Sequence, residues 1–134
     1  MKKVTVTVEL ADNNYAAYIV KLPGCISTGK TFEELKENIS EAVAFHLDGM
    51  REDGDEIPPA FSGEYEFVYH FDTQSLLQHY NGIFTNAALE RLTGINQRQL
   101  QHYASGVSKP RKEQAKKIEQ ALHNLGKELL VVEL

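Results

Sequence analysis

The residues best suited to chemistry lie between Phe84 and Gly106, in the run FTNAALERLTGINQRQLQHYASG. Leu100 and Tyr103, three apart, mark the inner side of a short predicted helix and leave Asn96, Gln97, Arg98, Gln101 and His102 on its outer side. Those outer types fit base edges, since Arg pairs bidentately with guanine and Asn or Gln with adenine. Past Gly106, the run Val107-Ser108-Lys109-Pro110-Arg111-Lys112 sets Lys109, Arg111 and Lys112 beside the end of that helix, where a DNA backbone would pass.

Two elements must position these side chains. Thr85 is suited to cap a helix running to about Leu92, with Ala88, Leu92 and Ile95 on one stripe and Leu89 beside it. Thr93-Gly94 breaks that helix where glycine tolerates a left-handed conformation, and Asn96 is placed to cap the second. Two short helices with a tight turn spell a helix-turn-helix, against the plainer alternative of a helical hairpin that only packs. The order of glycine, short basic loop, Pro and closing helix resembles the phage Cro and repressor family. Glu90 departs from it, standing where a small residue is usual, so the packing of the two helices is expected to differ.

Charge divides the 134 residues in two. Residues 1 to 80 carry six Lys+Arg against fourteen Asp+Glu, a net of −8, whereas residues 81 to 134 carry eight against five, a net of +3. An acidic front suits a cation-rich partner and a basic back suits phosphates. The expected boundary lies at residue 72, with domains over 1–72 and 73–134. Cys25 is the single cysteine, so it has no partner for a disulfide or a zinc site and reads as a small buried hydrophobe in a reducing, cytoplasmic setting. MKKVTVTVEL lacks the continuous apolar core of a signal peptide, no run is long enough to span a bilayer, and no repeat is present.

In the front half, Val4, Val6, Val8 and Leu10 alternate with polar residues and predict a half-buried strand; Tyr15 to Val20 returns from a turn at Asp12-Asn13-Asn14, and a third short strand surrounds Ile26. Thr31-Phe32-Glu33-Glu34 is a capping box opening a long helix whose core stripe is Phe32, Leu35, Ile39, Val43, His46 and Met50. Off that stripe stand Glu33, Glu37 and Glu41, four apart, at a repulsive cost of a few tenths of a kcal/mol per pair. They read either as a solvated face or as a site for a basic partner. Residues 51 to 63 read as a loop without calcium-loop order, so no metal is expected. Glu64 to Phe71 is a fourth strand with Tyr65, Phe67, Tyr69 and Phe71 on one face, and Thr73 to Tyr80 a short helix. Ala115, Ile118, Leu122 and Leu125 make a closing helix that Gly126 is placed to end. Leu129 to Leu134 is then β-prone and predicts a terminal strand that pairs across a dimer.

The resulting class is α+β: an N-terminal β-β-β-α-β domain followed by a small all-α domain. Tyr18, Leu22-Pro23-Gly24-Cys25, Gly29, Thr31, Glu33-Glu34, Leu35, Asn38 and Ala42, joined to the pattern over Phe84 to Gly106, resemble the HicB antitoxin family over nearly the whole chain. Lys30 departs from it, standing where an acid is common. The resemblance implies a partial RNase H-like N-domain that binds and silences a HicA-like basic ribonuclease toxin, and a C-domain that binds operator DNA of its own operon. One short recognition helix reads too few bases alone, so a homodimer or homotetramer is expected. No cofactor and no enzymatic activity are expected, since no catalytic triad order, phosphate-cradling glycine loop or Cys/His metal spacing is present. A nuclease of RNase H type would need acids converging on magnesium, usually with one in the middle of the first strand. That strand has Val and Thr at its centre and only Glu9 near its end. A regulator whose N-domain senses a small molecule is the remaining alternative.

Overall fold

A computed structural model describes residues 1–134. The chain divides into two compact units, Met1–Asp72 and Thr73–Leu134.

The first unit is a four-stranded sheet with one long helix on one face. Strand β1 (Lys2–Leu10) pairs antiparallel with β2 (Tyr15–Tyr18), which pairs antiparallel with β3 (Ile26–Gly29). Helix α1 (Phe32–Glu52) then carries the chain over to β4 (Tyr65–Phe71), which lies parallel to β1, giving the order β3-β2-β1-β4. Parallel strands need such a crossover because no tight turn can join them. The alternation read in β1 is realised: Val4, Val6 and Val8 are wholly buried against Leu35, Ile39, Val43 and Leu47 of α1. Tyr65, Phe67, Tyr69 and Phe71 face the same core, and the Phe32 ring meets those of Tyr69 and Phe71 edge-on at 5.3 and 5.2 Å.

Several local expectations needed adjusting. Strand β2 ends at Tyr18 instead of Val20, because Ile19 turns inward and its carbonyl accepts from Leu22 N–H at 3.1 Å. Cys25 N–H then closes a turn on the Leu22 carbonyl, with Pro23 and left-handed Gly24 at its centre, the arrangement a type II turn requires. On α1 the fourth buried position is Leu47, while His46 is only partly covered, its ring lying beside the Gly24 turn. The Thr31 cap forms as expected, its hydroxyl accepting from Glu34 N–H at 3.0 Å.

The second unit contains α2 (Thr73–His79), α3 (Asn86–Thr93), α4 (Gln97–Ser105) and α5 (Lys112–Leu130) around Leu77, Leu89, Ile95, Leu100, Tyr103 and Ile118. On α3 the buried residues are Leu89 and Thr93, with Ala88 and Leu92 half-covered, so its inward stripe is rotated from the expected one. The predicted terminal strand is overturned in its first two residues, since α5 continues through Gly126 to Leu130, and Val131–Leu134 lie in no strand. A mid-helix glycine costs only about 1 kcal/mol relative to alanine. The run Lys127-Glu128-Leu129-Leu130 forms helix well, and a lone strand here would find no ladder.

Candidate partner and nucleic-acid interfaces

In the first unit, α1 turns its buried stripe to the sheet and leaves Glu33, Glu37 and Glu41 exposed along a ridge of i, i+4 positions. Glu33 is paired with Lys36 at 2.6 Å, and Lys36 also lies 5.0 Å over the Phe32 ring, so the outermost acid is partly neutralised by its own helix. The ridge continues one turn beyond Glu41 to Phe45, which is 82% exposed. Phe45 was missed in the sequence, although its signal was there: an aromatic side chain at the next i+4 step, off the apolar stripe. Helix α1 is fixed to β3 by Asn38, whose side-chain amide donates to the Thr28 carbonyl at 2.8 Å. Cys25 is buried, which pushes its thiol up from the ordinary value and away from the reactive thiolate form. No three His, Cys, Asp or Glu side chains of the chain gather into a group able to hold a metal ion.

In the second unit, both short helices begin on the caps read from the sequence. Thr85 Oγ1 accepts from Ala88 N–H at 3.0 Å, and Asn96 Oδ1 accepts from Gln99 N–H at 2.8 Å. Gly94, at φ 77°, and Gly106, at φ 82°, end α3 and α4 in the left-handed region. Buried Thr93 locks the turn, its hydroxyl donating to the Leu89 carbonyl at 2.7 Å and accepting from Ile95 N–H at 3.1 Å. Glu90 has a definite job here. Its carboxylate accepts from the Gln97 backbone N–H at 3.1 Å and from Gln97 Nε2 at 3.4 Å, so it braces the start of α4 from α3.

Asn96, Gln97, Arg98 and Gln101 are exposed, and His102 is half-buried. Asn86 Nδ2 donates to Gln101 Oε1 at 3.0 Å. The two glutamines are thus held from α3 in opposite senses: Gln97 keeps its carbonyl oxygen free to accept, and Gln101 keeps its amide free to donate. Between them Arg98 is exposed. The three cations of the following loop separate. Lys109 and Arg111 line a groove of about 510 Å³ with Gly94, Asn96 and Lys117, while Lys112, at the start of α5, is exposed outside that lining. Lys117 is the residue missed here, because its contribution requires α5 to fold back against the α3–α4 turn.

The family model for the HicB_like antitoxin of bacterial toxin-antitoxin systems matches residues 4–72, the first unit almost from end to end. The chain belongs to the HicB-like antitoxin family. Among similar proteins, one from the rep-hol intergenic region of Haemophilus phage HP1 is 38% identical over 53 residues, 40% of each chain. A UPF0150 protein of Helicobacter pylori is 36% identical over 50 residues, 37% of this chain and 69% of the relative. Another from Thermoplasma acidophilum is 31% identical over 58 residues, 43% of this chain and 84% of the relative. The match thus spans less than half of the phage protein and most of the two shorter ones. No helix of this HicB-like chain is long and apolar enough to cross a membrane.

Proposed function

We propose that this antitoxin neutralises a HicA-like, mRNA-cleaving toxin through residues 1–72 and represses its own operon through residues 73–134. In this reading the first unit is a partial RNase H-like fold used for binding without catalysis, and α3 and α4 form a DNA-binding helix-turn-helix. The protein works in the cytoplasm as a homodimer or homotetramer. The observation that carries it is the joining, in one chain, of an acidic antitoxin unit of net charge −8 to a basic unit of net charge +3 whose capped α4 exposes Arg98, Gln97 and Gln101.

The division of labour follows from charge. A protein that grips RNA must be basic, so the ridge of Glu33, Glu37 and Glu41 steers it to α1, and occupation of its RNA-binding surface is enough to silence it. In the second unit Arg98 would read guanine while Gln97 and Gln101, with Asn96 and His102 at the margins, contact neighbouring base edges. Lys109, Arg111 and Lys112 would hold the backbone. One short helix reads too few bases for useful specificity, hence the two-fold assembly on a two-fold-related site.

Two measurements on the full chain test the two halves. Purified chain should suppress RNA cleavage by the toxin encoded beside it; unimpaired cleavage in the presence of excess chain would remove the antitoxin half. Arg98→Ala should lose about 1–3 kcal/mol of discrimination at one base position of the operator while inhibiting the toxin as well as the parent. Unchanged affinity together with unchanged sequence preference would show that α4 is not the recognition helix.

A further inference from the structure

The groove beside the α3–α4 turn holds three cations and no carboxylate: Lys109 and Arg111 from the loop, and Lys117 from the second turn of α5. None of the three makes an ion pair; the chain's salt bridges involve Lys36, Arg51 and Lys116 instead. Lys117 crosses from α5 to the turn, so that its Nζ lies 3.8 Å from where a Cβ on Gly94 would stand. Ile95 and Tyr103 line the groove too, and its other side chains are polar. Gln99 Nε2 donates to Ser108 Oγ at 3.2 Å among them, and Asn96 and Gln114 complete the rim. Helix α5 also begins without a side-chain cap, unlike α3 and α4, so the amides of its first turn beside Arg111 are left for another acceptor. Three like charges lining one open groove repel one another, and an anion among them would relieve that repulsion.

Extending the DNA-binding reading, on which its partner rests, we infer that this groove is a phosphate-binding site in which Lys117 joins Lys109 and Arg111 to hold a phosphate of a nucleic-acid backbone. The site anchors the duplex at the flank of α4 and carries no sequence information, so it sets affinity and register alone. It also divides the basic loop by role, because Lys112 lies outside the groove. Lys117 has a structural use as well, its charge standing at the C-terminal end of α3 where carbonyls gather. The two roles differ in what they predict for salt.

The test uses the full chain and a short duplex of mixed sequence, with affinity followed between about 50 and 200 mM salt. Lys117→Gln combined with Arg111→Gln should flatten the log–log salt slope by about 0.9, the value of one phosphate contact, so that affinity lost across that range shrinks about threefold. Lys116→Gln combined with Lys127→Gln removes the same charge from α5 outside the groove and should leave the slope near the parent value. Equal slopes for the two paired variants would overturn the site, as would a groove variant that loses thermal stability yet keeps the parental slope. If the groove pair fails to fold, Arg111→Gln alone serves, since that exposed side chain makes no cap bond. If the parent binds no duplex, the DNA-binding reading fails by itself. The groove is then judged by melting in inorganic phosphate against chloride at matched ionic strength: stabilisation lost in the groove pair sustains a phosphate site, and identical shifts refute it.

Discussion

Gly29 illustrates how a single atom constrains the antitoxin unit. A Cβ there would come 2.5 Å from Leu35 N and 2.8 Å from Leu35 Cα, and backbone in the first turn of a helix has little room to retreat. Gly29→Ala should therefore lower stability by about 1–3 kcal/mol, as overpacking does. Gly49, in the α1 interior with nothing within 4 Å of its Cβ position, should gain about 0.5–1 kcal/mol when changed to Ala. Denaturant midpoints of the two variants decide the matter, and equal behaviour would mean that α1 does not press on β3 as described. The Gly29 approach could not be read from the sequence, because it depends on how closely α1 seats on β3. The left-handed Gly94 could be read, since it follows a capped helical run that has to stop before the Asn96 cap. Glu90 lies between these cases: its mismatch with the Cro-like pattern was visible, but its hydrogen bonds to Gln97 depend on how α3 and α4 sit in space.

At the scale of elements, α1 is the part whose two faces differ most. Its inner stripe of Leu35, Ile39, Val43 and Leu47 holds the sheet, while its outer ridge runs from Glu33 through Glu37 and Glu41 to Phe45. Acids set how fast a basic partner arrives, and an exposed aromatic sets how long it stays. Glu37→Lys with Glu41→Lys is expected to slow toxin association at low salt and matter less at high salt. Phe45→Ala should speed dissociation, at a cost on the order of 2 kcal/mol if the ring is a binding hot spot, with little change in melting because the ring is already solvated. Association and dissociation rates measured separately would expose the error if Phe45→Ala left the complex lifetime unaltered. The opposite lesson comes from α5. Leu129-Leu130 looked β-prone in isolation, yet a growing helix supplies a hydrogen bond for each added residue, whereas a solitary strand supplies none.

For the whole molecule, the boundary at Asp72 separates charge as well as contacts, since the first unit holds all of the −8 and the second all of the +3. The first unit has its own core, with Val4, Val6 and Val8 closed under α1. Residues 1–72 alone should therefore inhibit RNA cleavage by the toxin, without residues 73–134 and without cutting RNA themselves. A folded fragment that fails to bind toxin would end the proposed division of labour, and one that cleaved RNA with magnesium would turn the unit into an enzyme. The sequence by itself determined what is local: the alternation of β1, the Thr31, Thr85 and Asn96 caps, the stop at Gly94, the charge division and the family motif, though it misplaced the end of α5 at Gly126. Each depends on residues within a few positions, or on sums over the chain. Only the tertiary structure decided the parallel pairing of β1 with β4, the close seat of α1 on Gly29, and the meeting of Lys117 with Lys109 and Arg111. Those arrangements join segments far apart in sequence, and they are fixed by which apolar faces bury each other, a choice no short window of residues contains.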